Sequence, residues 1–216
     1  EPLDYEISVS PGKITLTTNS GNLEITYQSA DILRMNGENI GFRLTQTVKD
    51  GASNTFPVDR DKTLWRCQMG GYDHYALSVI SGNIKVQTEK TVAGEKLPDN
   101  PIAIIDLSPD KTGICEIALE QYQDGFDRQD FDISFEQCVN NRLDAIDEFS
   151  KHLLPVPDTF ESLVAKTKYL KWSSFVRPKG AIQRTSMYMS KNWMNAIWGW
   201  DNCFDALGYS YHNIDK

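Results

Sequence analysis

Near Val139 the spacing of apolar residues changes from two to between three and four, dividing the chain into two structural classes. Before it, Ile14, Leu16 and Thr18 alternate with polar residues after a Pro11-Gly12 turn. Leu23, Ile25 and Tyr27 follow an Asn19-Ser-Gly-Asn22 turn, which is a hairpin signal. Further strands are expected at Gly41–Val48, Tyr75–Ile80, Ile84–Thr88, Ile102–Leu107, Ile114–Tyr122 and Phe131–Val139. Ser81-Gly-Asn83, Pro98-Asp-Asn-Pro101 and Pro109-Asp-Lys-Thr-Gly113 punctuate them. Short strands with regular turns and no helical period between them specify an antiparallel β-sandwich over residues 1–139, rather than a parallel sheet.

Beyond Val139, Leu143, Ile146, Phe149 and Leu153 fall at helical spacing, ended by Pro155-Val-Pro157. Asp158 offers an N-cap with Glu161 as its box partner, ahead of Phe160, Leu163, Val164, Thr167, Leu170 and Trp172. Pro178-Lys-Gly180 is expected to break that helix, so residues 140–180 read as linker helices. A loop from Ala181 to about Ile197 then leads to a third helix near Trp200–Tyr211. This last helix carries Trp198, Trp200, Phe204, Leu207 and Tyr211 on several sides, a pattern that wants neighbours on more than one face. Residues 140–216 hold no more than about five helices at roughly 16 residues per helix and connection. They are expected to begin a larger helical domain.

A net charge of −8 excludes several partners. The strongest basic patch, Lys166 to Lys171, is one helix face, so no nucleic acid partner is expected. No apolar run approaches the roughly 18 residues of a membrane span, and no membrane partner is expected. No signal peptide is evident, and the chain starts at Glu1 without Met, which is compatible with a removed upstream segment. The compartment is left open, with the cytoplasm slightly favoured. Cys67, Cys115, Cys138 and Cys203 are irregularly spaced and His74, His152 and His212 stand apart, so buried free thiols are expected rather than a metal site. One or two disulfides are compatible with export. The acidic run Asp124-Gly-Phe-Asp127-Arg-Gln-Asp130-Phe-Asp132 fits no EF-hand and reads as a solvated loop. Thr63–Tyr72 reads as a packed strand end, or as a loop whose Gly70-Gly71 permits close backbone approach. Neither a metal nor a cofactor is expected.

The chemistry lies near the C-terminal end, in Trp193-Met-Asn-Ala-Ile-Trp198-Gly-Trp200-Asp201-Asn-Cys-Phe204-Asp205. Three tryptophans and a carboxylate fall within nine residues. Flat apolar faces that stack on pyranose C–H groups, beside an acceptor for hydroxyls, are what a sugar site requires. On the third helix Asp201, Phe204, Asp205 and Gly208 share one face, and Trp200, Cys203 and Leu207 share another. Asp201 falls in the first turn, where free N–H groups and the helix dipole favour a carboxylate. The plainer reading makes Asp201 a cap and the tryptophans core. Against it stands the polar loop bearing Arg184, Ser186, Tyr188, Ser190, Lys191 and Asn192, which runs directly into the cluster.

Pro178-Lys-Gly-Ala-Ile-Gln-Arg184, Met187-Tyr-Met-Ser-Lys191 and Trp198-Gly-Trp-Asp-Asn-Cys-Phe204 together resemble the entry to the catalytic toroid of α-glucosidase I-like glycoside hydrolases. That group is family 63, with related mannosylglycerate hydrolases and, more distantly, trehalases. The resemblance implies a supersandwich-like β-sandwich, linker helices, and helices from residues 181–216 that begin an incomplete (α/α)6 toroid. It implies that Trp198, Trp200 and Asp201 bind substrate. No catalytic residue is expected in this chain: the general acid and general base would lie beyond Lys216. The whole enzyme would invert configuration by single displacement on an α-linked glucoside or related oligosaccharide. The implied partners are that oligosaccharide and the remainder of the toroid. A different class of function, a non-catalytic carbohydrate-binding or assembly module, fits the same sandwich with a helical extension.

Overall fold

The structure, a computed structural model, describes residues 4–46, 54–69, 73–88, 103–122, 130–151, 153, 156–189 and 196–210. Among them, strands precede the first helix: β1 Glu6–Val9, β2 Ile14–Thr17, β3 Asn22–Tyr27, β4 Ile32–Glu38, β5 Phe42–Gln46, β6 Asn54–Pro57, β7 Leu64–Met69, β8 Asp73–Ser81, β9 Asn83–Thr88, β10 Ala103–Ser108 and β11 Ile114–Tyr122. An eight-stranded sheet has the order β1-β2-β3-β4-β11-β8-β7-β6, and a three-stranded sheet the order β5-β10-β9. Every pairing in both is antiparallel. Met35, Trp65, Leu77, Cys115 and Ile117 from the larger sheet pack with Ile105 and Leu107 from the smaller. The β-sandwich expected from the alternation is therefore present.

The chain passes between sheets where the backbone has no room for a side chain. Gly82 links β8 to β9 with φ +91°, and a Cβ there would lie 2.6 Å from Cys115 Cβ. Only glycine occupies such a site without strain. A second crossing, from β4 to β5, runs through Asn39 with φ 57°; its amide donates to the Gly113 carbonyl at 2.7 Å.

The expected strand at Phe131–Val139 is overturned: helix α1 spans Phe135–Ser150. The alternation of Phe131, Ile133 and Phe135 misled, because Ser134 caps the helix. Its Oγ accepts the Gln137 amide at 3.1 Å, and its carbonyl accepts the Cys138 amide at 3.1 Å. Ser134-x-x-Gln137 is itself a capping-box pattern. Conversely, the box expected at Asp158 and Glu161 does not form. Asp158–Phe160 is a 3-10 turn preceded by Pro157, helix α2 runs Glu161–Ser173, and neither start has a side-chain cap.

Strands β4 and β6 fall outside the segments expected from the alternation. In β4, Arg34 on one face and Met35 on the other are both buried, since the core covers one side and the segment around Phe131–Cys138 the other. Arg34 Nε and Nη2 donate to Glu116 Oε1 at 2.9 and 2.5 Å, and Nη1 donates to Gln28 Oε1 at 2.6 Å. The guanidinium also lies over the Phe131 ring. Arg142 on α1 adds a bond to the Pro11 carbonyl and stacks on Tyr27. The stretch Thr63–Tyr72 contributes β7, with Trp65 and Cys67 in the core; Gly70, Gly71 and Tyr72 lie outside the described residues.

The chain divides into two compact units, Glu1–Arg142 and Leu143–Lys216. The second contains the end of α1, α2, a hairpin of β12 Phe175–Val176 with β13 Ser186–Met187, and α3 Gly199–Ser210. Helix α2 ends before Pro178, contrary to expectation. Pro178-Lys-Gly180 instead turns the hairpin, with a Lys179–Ile182 bridge and Gly180 at φ 58°.

Candidate functional site

Within the second unit, α2, β13 and α3 surround a cavity of about 620 Å³. Leu170, Met187, Met189 and Phe204 supply its apolar lining, and Thr167, Lys171, Ser174, Tyr188, Asp201 and Asp205 its polar lining. An apolar wall with a few convergent polar groups is the usual make-up of a small-molecule site.

Helix α3 is held here by Asn202, a residue of the Trp-Gly-Trp-Asp-Asn run to which the sequence reading gave no role. Its Oδ1 accepts the Met187 amide at 3.2 Å, and its Nδ2 donates to the carbonyls of Met187 at 3.1 Å and Trp198 at 3.0 Å. The side-chain amide thus pairs with β13 as another strand would, fixing the first turn of α3 against the hairpin. An amide matching both an N–H and a C=O is the signal that could have revealed it.

With the helix so placed, the face bearing Asp201, Phe204 and Asp205 lines the cavity, as the i, i+3, i+4 spacing expects. The two carboxylates differ in circumstance. Asp205 pairs with Lys171 Nζ from α2. Burial lowers the proton affinity of Lys171, while the carboxylate against it favours the ammonium. Asp201 Oδ2 is buried and has no hydrogen-bond partner among the described residues. A buried acceptor left open in this way costs free energy unless something arrives to fill it.

Trp198 and Trp200 do not line the cavity; they are 45% and 67% exposed. Trp200 lies edge to face with Phe204, ring centroids 6.0 Å apart at 79°. Ser190, Lys191 and Asn192 of the polar loop lie outside the described residues, as do Trp193, His152, His212 and Asp124 to Asp127 of the acidic run. Among the described residues no group of three or more His, Cys, Asp or Glu side chains is placed to hold a metal ion. Cys67, Cys115 and Cys138 are buried free thiols, whereas Cys203 is exposed.

No protein-family model and no curated protein matches the chain. Solved structures do. A family GH92 inverting mannosidase from Bacteroides thetaiotaomicron is similar over 86% of this chain and 29% of its own, with a TM-score of 0.57 at 10% identity. A family GH92 alpha-mannosidase from the same organism is similar over 80% of this chain and 27% of its own, with a TM-score of 0.54 at 8% identity. The GH92 family glycosyl hydrolase ccman5 is similar over 88% of this chain and 34% of its own, with a TM-score of 0.56 at 9% identity. At such identities the likeness concerns the fold: a sandwich followed by helices. The chain spans about a third of the length of these structures.

Proposed function

We propose that this chain is the sandwich and first helices of a glycoside hydrolase acting on α-linked hexosides, and that the cavity beside α3 forms part of its sugar subsite. The observation that carries the reading is Asp201 Oδ2, a buried acceptor without a partner on the wall of a cavity that also presents aromatic surface. A carboxylate accepts charge-assisted bonds from sugar hydroxyls, stronger than those between neutral groups. Trp198 and Trp200 are the neighbouring aromatic residues of this subsite.

An inverting hydrolysis needs two carboxyl groups about 6.5–9.5 Å apart, one protonating the leaving oxygen and one activating water. Asp205 is paired with Lys171. In this reading the acid–base pair comes from outside these 216 residues, and the chain provides grip and orientation. The resemblance to family 63 suggests α-glucosides, while the structurally similar proteins are mannosidases. α-Mannosides are accordingly the first substrates to test.

The experiment compares the full-length gene product with the 216-residue chain on aryl α-mannosides and α-glucosides, with the anomer released followed by NMR. Turnover with inversion is expected from the full-length product alone. Comparable turnover by the 216-residue chain would place a catalytic carboxylate within it. Absence of turnover, with sugar binding retained, would favour a carbohydrate-binding module.

A further inference from the structure

Asp201 and Phe204 stand one turn apart on the same face of α3, and both line the cavity. Trp200 is the larger aromatic and belongs to the motif, yet it is absent from the lining. The aromatic residue of α3 that lines the cavity together with Asp201 is Phe204, itself 66% exposed. Trp200 meets it edge to face, ring centroids 6.0 Å apart, the arrangement such aromatic pairs favour. The Lys171–Asp205 pair occupies the neighbouring carboxylate, which leaves Asp201 as the cavity-lining carboxylate with no ion-pair partner among the described residues.

Resting on the sugar-binding reading above, we propose that the apolar face of a pyranoside stacks on Phe204 while its hydroxyls donate to Asp201, and that Trp200 acts as a positioning residue that orients the Phe204 ring. The chemistry recognised is a ring with a patch of axial C–H groups on one face and adjacent hydroxyls at its edge. Stacking requires a flat face free of other partners, and the exposed side of Phe204 provides one. The motif tryptophan then works through its neighbour.

The test uses the full-length gene product, with methyl α-D-mannopyranoside and methyl α-D-glucopyranoside as probes. Affinity is read by calorimetry, and stacking by the upfield ring-current shift of the sugar C–H protons. Phe204→Leu is expected to weaken binding at least tenfold and to abolish the shift, while Phe204→Trp retains both. Trp200→Ala should weaken binding about fivefold, and Trp200→Phe should restore it, with the melting temperature unchanged in each. If Asp201→Asn weakens binding but Phe204→Leu leaves affinity and shift intact, the stacking assignment is overturned while the sugar subsite stands. If neither substitution changes binding, or the unaltered protein binds neither probe, the subsite itself is wrong and the stacking assignment falls with it.

Discussion

At the scale of single residues, Asp201 carries the sharpest expectation. Asp201→Asn keeps the shape and removes the charge. In the glycoside hydrolase proposed above it should cost about 2–4 kcal/mol of transition-state stabilisation, read as kcat/KM. Stability should fall by no more than about 1 kcal/mol, since Oδ2 has no hydrogen-bond partner among the described residues. A lower melting temperature with kcat/KM unchanged would restore the plain capping role. The thiols offer a second test. Burial pushes Cys115 up to about 11 from an ordinary 9.0, and raises Cys67 as well. A raised pKa means the folded state holds the proton more tightly than the unfolded chain does. The associated stability is complete below about pH 9 and is lost as pH rises towards 11. Urea midpoints should fall between these pH values, and less steeply in Cys115→Ala. At pH 8, alkylation of the native chain should mark Cys203 and spare Cys67, Cys115 and Cys138.

At the scale of elements, α1 shows how a helix can hide behind strand-like alternation. Its start is anchored to the outer face of the larger sheet by Arg34, which joins β4, Glu116 on β11, Gln28 and the Phe131 ring. Arg34 is 1% exposed, so Arg34→Met leaves the Glu116 carboxylate buried without its cation. That substitution should cost about 3–5 kcal/mol in denaturant unfolding, and Arg34→Met with Glu116→Leu should recover much of it. A single substitution that costs under about 1 kcal/mol would show that the pair is not desolvated as placed. At the sheet crossing, Gly82→Ala combines a positive φ with a Cβ 2.6 Å from Cys115 Cβ. It should destabilise by at least about 1–2 kcal/mol, measured in the same way.

At the scale of the whole molecule, the two units differ in how completely they bury their apolar residues. The sandwich unit has a contiguous core. Among the described residues of the second unit only Ile146 and Met187 are buried apolar side chains, while Leu163 and Leu207, away from the cavity, are exposed. Helices with apolar residues on several sides call for further helices against them. On the proposal that the chain belongs to a longer glycoside hydrolase, the 216 residues alone should bind a hydrophobic dye strongly and the longer protein weakly. Equal, weak dye binding by both would show that these faces need no cover.

The sequence by itself determined the class of each half. Alternation in β2, β3, β9 and β11 and the helical spacing of Leu163, Leu170 and Phe204 are local properties, set by strand and helix geometry wherever the chain lies. It also placed Asp201 and Phe204 on one helix face, because that follows from 3.6 residues per turn. Tertiary structure decided the rest. Strand β4 alternates Leu33 and Met35 with Arg34 and Asn36, yet Arg34 on its polar side is buried as well, which the pattern does not reveal. Ser134 rather than Asp158 became the cap that forms, because Phe135 and Cys138 gain burial immediately behind it. Which carboxylate remains open was equally beyond the sequence. Asp201 and Asp205 have identical chemistry four residues apart, and only the approach of Lys171 from α2 takes one of them and leaves the other facing the cavity.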